Sequence, residues 1–174
     1  MKKIILVLVA VVAINFSAMA DGAPRKGAFG IQSAVGLTST GLSPTGSLGA
    51  KFFITDAMAL RASLGFSSST TSGGGGGTGF DLGAGFEYHF GGKGGVSPYA
   101  GAELGYSIGS PAGGGNATNV FAVNGIFGAE YFFSSNFSWA GELMLGYASS
   151  STGPVTSSAF ATGAALFILT WYLN

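Results

Sequence analysis

The side chains able to do chemistry in this 174-residue sequence are few: seven Lys or Arg, seven Asp or Glu, one His and no Cys. Nucleophilic catalysis needs a hydroxyl or thiol with a base beside it. Ser and Thr crowd residues 39–44, 69–78, 110–118 and 149–157, but none of these stretches holds a His, Lys, Asp, Glu or Cys to activate them. The single histidine, His89, sits instead beside the Gly91-Gly92 turn. One His without Cys makes no transition-metal ligand set. Gly91-Gly92-Lys93-Gly94 has no Ser or Thr after the lysine and no helix signal, so it is not a phosphate loop. The expectation is a protein that is not an enzyme, with no catalytic, cofactor-binding or metal-ligating residues.

Charge pairing is the chemistry that remains. Lys51, Arg61, Glu87, Glu103, Glu130 and Glu142 form the candidate cluster, and Asp81 and His89 lie on the same segments as its members. What places them is an alternation of period two, the mark of strands. Eight are expected: 27–38, 45–54, 58–68, 79–90, 98–109, 119–133, 137–148 and 158–173. Around residue 125, Phe121, Val123, Phe127, Tyr131 and Phe133 share one face, and Asn124, Gly128 and Glu130 the other. Every strand charge falls on the less hydrophobic face. In 158–173 both faces are apolar, and which one points outward is open.

Short turns are expected at 55–57, 91–97 and 134–136, and longer Gly/Ser/Thr/Pro-rich loops at 39–44, 69–78, 110–118 and 149–157, with Gly73–Gly77 as a flexible tip. Transmembrane barrels alternate connection lengths in this way, with long loops outside. Only 8% of residues are charged, whereas 47% are hydrophobic and 32 are Gly. A soluble domain carries about 25% charge. A formal net charge of zero argues against nucleic acid. In a soluble barrel the bulky face would point inward and the small face would meet water, but that small face lacks the Lys and Glu of a wetted surface. Lipid outside fits better. A helical anchor over 159–173 is too short and too interrupted to span.

Lys2 and Lys3, the apolar run Ile4–Ile14 and Ala18-Met19-Ala20 read as a signal peptide over 1–20 cleaved after Ala20. The barrel domain is then 21–174. Aromatics at strand ends would form two interfacial girdles. Phe86, Tyr88, Phe90, Tyr131, Phe133, Phe137, Trp139 and Trp171 belong to the periplasmic one, and Phe66, Phe80, Tyr106, Phe121 and Tyr147 to the external one.

With the leader, strands and loops in hand, the whole mature chain resembles the small bacterial outer-membrane β-barrel proteins of the OmpA/OmpX type (barrel domain only). The resemblance implies an all-β, eight-stranded antiparallel up-and-down transmembrane β-barrel in the outer membrane of a Gram-negative cell. It also implies recognition by the barrel-assembly machinery through the alternating last strand. That strand is present as Phe167, Leu169, Trp171 and Leu173, although Asn174 stands where the family has a final aromatic.

Inside so narrow a barrel the charges are expected to pair as a plug, because an unpaired buried charge is costly. Arg61 with Glu87 is the first expected pair. The competing reading is a narrow ion path, since four carboxylates face two bases. Small inward residues such as Ser63, Gly65, Gly83, Gly105 and Gly146 suggest a pocket open to the outside. The expected role is structural or surface-exposed, with outer-membrane lipids as partners. The alternatives are a narrow porin-like channel and adhesion or binding through the external loops.

Overall fold

The computed structural model describes residues 26–38, 41–71, 75–91 and 94–173. They form eight strands: β1 (Phe29–Thr38), β2 (Gly41–Phe53), β3 (Met58–Thr71), β4 (Gly75–His89), β5 (Val96–Pro111), β6 (Thr118–Phe132), β7 (Phe137–Thr152) and β8 (Val155–Leu173). Each pairs antiparallel with the next, and β8 returns to β1 with Phe29 opposite Leu173. The sheet is a closed up-and-down barrel. The leader read at 1–20 lies outside the described residues.

Closure gives every strand one face towards the lumen and one away from it, and the sequence alternation decides which is which. The bulky apolar face points outward. Leu48, Phe66 and Phe160 are 66%, 66% and 71% exposed. The start of β1, the end of β8 and the connections after Phe53, His89 and Phe132 share one end of the barrel, called the terminal end below. Thr55 shapes the first connection by accepting hydrogen bonds from the backbone N–H groups of Met58 (2.9 Å) and Ala57 (3.2 Å).

Two apolar clusters line the interior. Phe53, Ala59, Phe132 and Tyr172 close the terminal end. Deeper in, Tyr99, Ile126, Ala140 and Ile168 pack with Ala34, Met144 and Leu166. Towards the far end the inward side chains become small. Gly65, Gly83, Gly105 and Ala122 face a cup in which Asp81 is exposed.

The expected loop lengths need correction. Most of 69–78 and 149–157 is strand, with β3 and β4 paired up to Thr71↔Gly75 and β7 and β8 up to Thr152↔Val155. Gly75–Gly77 belongs to β4 rather than to a flexible tip. Ser, Thr and Gly read as turn signals one by one, but a hairpin already in register extends by adding paired backbone groups. Hydroxyls reinforce the overhang, with Thr118 Oγ1 2.7 Å from Thr152 Oγ1 and Ser150 Oγ 2.8 Å from Ser157 Oγ. The β7–β8 connection shrinks to Gly153-Pro154, where Gly153 takes a φ of +56°.

The question left open in the last strand has a definite answer. Leu143 pairs with Ala165, but Leu145 pairs with Thr162, so β8 holds an extra residue there. Such a bulge reverses which alternate side chains face out. Below it Phe167, Leu169 and Trp171 are outside and Ile168, Thr170 and Tyr172 are buried; above it the even-numbered Phe160 is outside. Both faces of the segment are apolar because each lies on the outside of the barrel over half its length.

Candidate functional site

Lys51 on β2 and Arg61 on β3 stand directly opposite each other in the ladder. Two like charges so placed would repel, and β4 supplies the remedy. Glu87 Oε2 lies 2.6 Å from Lys51 Nζ, and Glu87 Oε1 lies 3.0 Å from Arg61 Nη1. Glu130 on β6 takes the other side of Lys51 at 2.8 Å. Arg61 also donates to Glu142 on β7 (2.5 Å) and to Glu103 on β5 through Nε (3.1 Å). The expected Arg61–Glu87 pair is therefore one contact in a six-residue network that crosses the lumen.

Neutral donors complete it. Glu130 Oε1 accepts from Ser138 Oγ (2.5 Å) and Tyr172 Oη (2.8 Å), and Glu142 Oε2 accepts from Tyr99 Oη (2.9 Å). Gly128 makes the Tyr99 contact possible, because a side chain there would start 2.5 Å from the Tyr99 hydroxyl. His89 lies with Nε2 3.2 Å from Glu87 Oε2 and Nδ1 2.9 Å from Ser97 Oγ, its ring against Phe53 and Tyr99. Lys51, Glu87 and Glu130 are within 1% of complete burial. Arg61 and Glu103, whose side chains are 10% and 13% exposed, form the side of the cluster facing the cup.

This arrangement locks rather than reacts. Ligand atoms of Glu87, His89 and Glu130 lie within 4.8 Å of one another, a spacing a metal could use. The Lys51 ammonium, however, already stands between the two carboxylates. The hydroxyls of Tyr99, Ser138 and Tyr172 donate to Glu142 and Glu130, carboxylates already held by Arg61 and Lys51, and all three residues are buried away from any substrate.

Sequence reasoning missed Tyr99, Tyr172, Ser97 and Ser138. A signal was available: a large aromatic on the small, polar face of a strand, as Tyr99 is on the face of Glu103, is out of place unless its hydroxyl has a partner. Asp81, although on the inward face, lies outside the network and is exposed in the cup.

No family model and no curated protein matches the chain. Solved structures do. The outer-membrane protein AlkL, determined in lipid bilayers, superposes with a TM-score of 0.50 at 13% identity, over 92% of this chain and 97% of AlkL. The N-terminal β-barrel domain of Pseudomonas aeruginosa OprF matches at 16% identity over 86% and 100% of the two chains, with a TM-score of 0.49. Neisserial surface protein A gives 18% identity, 83% and 94% coverage and a TM-score of 0.49. The fold is that of the small outer-membrane barrels.

On such a barrel the outer face is the second place to look for function. Of the residues expected in girdles, Phe86, Tyr88, Phe90, Phe133, Phe137 and Trp171 are exposed near the terminal end, while Tyr131 and Trp139 are half-buried against each other's strands. Trp139 stacks on Phe167 with ring centroids 6.1 Å apart. Nearer the far end Phe66 pairs with Phe80, Tyr106 with Phe121 and Tyr147 with Phe160, all exposed. Between the two groups the outer face carries Leu82, Leu104, Val123 and Leu145.

Proposed function

We propose that this chain is an integral outer-membrane protein whose barrel is non-conducting and whose role is structural or surface-exposed. The observation that carries the proposal is an apolar exterior wrapped around a closed interior. Phe80 on β4 and Phe90 just past its end, both exposed, stand ten positions apart, about 33 Å along the chain at about 3.3 Å per residue, and a strand tilt of about 40° brings that to the height of an apolar band about 25 Å tall. The aromatic groups at its two edges suit the lipid headgroup levels. The ion-pair network and the Phe53–Phe132–Tyr172 cluster beneath it are packed across the interior, which favours the plug over the porin-like channel. The leader would direct export, and the last strand would present itself to the assembly machinery. The start of β1 and the end of β8 then lie on the periplasmic side, and the Ser/Thr-lined hairpin overhang and the cup face outward.

The full chain expressed in a Gram-negative host should fractionate with the outer membrane and migrate differently on gels before and after boiling. In planar bilayers it should be electrically silent. A freely soluble protein without detergent would overturn the membrane reading; stepwise conductance would overturn only the closed lumen.

A further inference from the structure

The wall of the barrel is uneven at the far end. The β1–β2 hairpin pairs as far as Thr38↔Gly41. Among the described residues, β2 stays paired with β3 only as far as Ser47↔Gly65, and β1 with β8 only as far as Leu37↔Ala165. β3 nevertheless runs on to Thr71 against β4, and β8 reaches back to Val155 against β7. β3 to β8 therefore stand as a tall curved sheet, and the hairpin forms a low side. Pro44 lies in the part of β2 that has left β3, and a proline has no N–H to offer a neighbouring strand. The low side begins beside Phe66, in the aromatic group of the far end.

The inner face of the tall sheet is paved with glycine. Two successive inward rungs across β3, β4 and β5 are Gly65–Asp81–Ser107 and Ser67–Gly79–Gly109. Each combines glycine with short polar side chains. Asp81 Oδ2 lies 3.0 Å from where a side chain on Gly65 would begin, and Ser67 Oγ lies over Gly79. On β5 the surface is open. Among the described residues only the Ala122 methyl group comes within 4 Å of a side chain built at Gly105, and nothing does at Gly109. Glycine inside a strand often marks the close approach of a ligand or another backbone, and at these two positions no other backbone approaches.

We propose that this wall receives the uncharged, hydroxyl-rich headgroup of an outer-leaflet glycolipid, which enters over the low β1–β2 side. The inference rests on the outer-membrane reading given above. A molecule tethered by acyl chains reaches the cup only where the wall is low at the level of the bilayer surface. Leu48 and Leu64, paired with each other and exposed just before the strands part, offer those chains an apolar threshold. Sugar hydroxyls donate and accept, so they match the Ser67 and Ser107 hydroxyls and the acceptor-only Asp81. A phosphate headgroup would meet Asp81 and Glu103 with Arg61 already engaged by three carboxylates, and like charges so placed oppose binding.

The chain has no cysteine, so Ser107→Cys introduces a single reporter in the cup. The full-length variant is refolded in phosphocholine vesicles and reacted with a water-soluble maleimide. Dodecyl maltoside added to the vesicles should slow labelling about tenfold, as for a cup left free about one-tenth of the time. Asp81→Asn in the same background should weaken that protection several-fold, and Ser68→Cys on the outer face should label at an unchanged rate. Absence of protection by dodecyl maltoside overturns the proposal. Equal protection by dodecylphosphocholine overturns it through the headgroup, and equal protection by free maltose overturns it through the route of entry. Should Ser107→Cys fail to fold, Ser67→Cys on the neighbouring rung gives the same reading. The gel shift on boiling reports insertion in the same sample, so an unprotected but inserted barrel counts against the headgroup site and not against the membrane reading.

Discussion

Lys51 and Arg61, neighbours across one ladder, hold opposite oxygens of a single carboxylate, that of Glu87. Glu87→Gln removes the charge that lets these two cations stand side by side out of water. Breaking a buried pair in this way costs about 3–5 kcal/mol. Urea titration of the folded, heat-modifiable form should show a loss of that size. An equal midpoint in parent and variant would mean the cations are already solvated.

A gentler perturbation is available at Tyr99. Tyr99→Phe deletes the hydroxyl that donates to Glu142, and a hydrogen bond to a charged group contributes about 1.5–3 kcal/mol. Gly128→Ala should cost at least as much, because the new methyl group would meet both the Tyr99 ring and the Gly141 carbonyl oxygen. Near-ultraviolet circular dichroism should report the displaced ring in Gly128→Ala and little change in Tyr99→Phe.

The outer face makes a depth-dependent prediction. Leu104 is 53% exposed midway along β5 between the aromatic groups. Leu104→Arg in lipid vesicles should lose about 2–4 kcal/mol, while the same residue at Ser68, beyond the Phe66–Phe80 pair, should cost about 0–1. Equal effects at the two positions would deny that a bilayer surrounds this band.

Deleting one residue at 163–164 removes the β8 bulge. Either Phe160 is then driven inward among small residues or the pairing with β7 slips, and the yield of folded, heat-modifiable protein should collapse. An alanine replacing Gly153, by contrast, should leave the yield high and lower stability modestly, through strain at its positive φ.

Most of the barrel could be read from the chain because alternation is a strong signal and the charges are so few. Glu130 beside Tyr131, or Glu142 beside Leu143, leaves no doubt which face is which. The β8 bulge could not be read, since a shift between two apolar faces changes no residue type. The overhanging hairpins were hidden because Ser, Thr and Gly carry turn-like preferences, and pairing partners override them. The network's branching was hidden for another reason. Arg61 reaches three carboxylates from three different strands, and that depends on strand tilt and side-chain length rather than on spacing along the chain.

The seam where Phe29 meets Leu173 joins the first described strand to the last. Until it zips, Gln32 cannot reach Thr170 across it, and nothing holds Lys51 of β2 against Glu130 of β6 on the far side of the lumen. A half-inserted intermediate would therefore expose naked ionic groups to hydrocarbon. Ring closure and the pairing of the interior charges therefore stabilise each other.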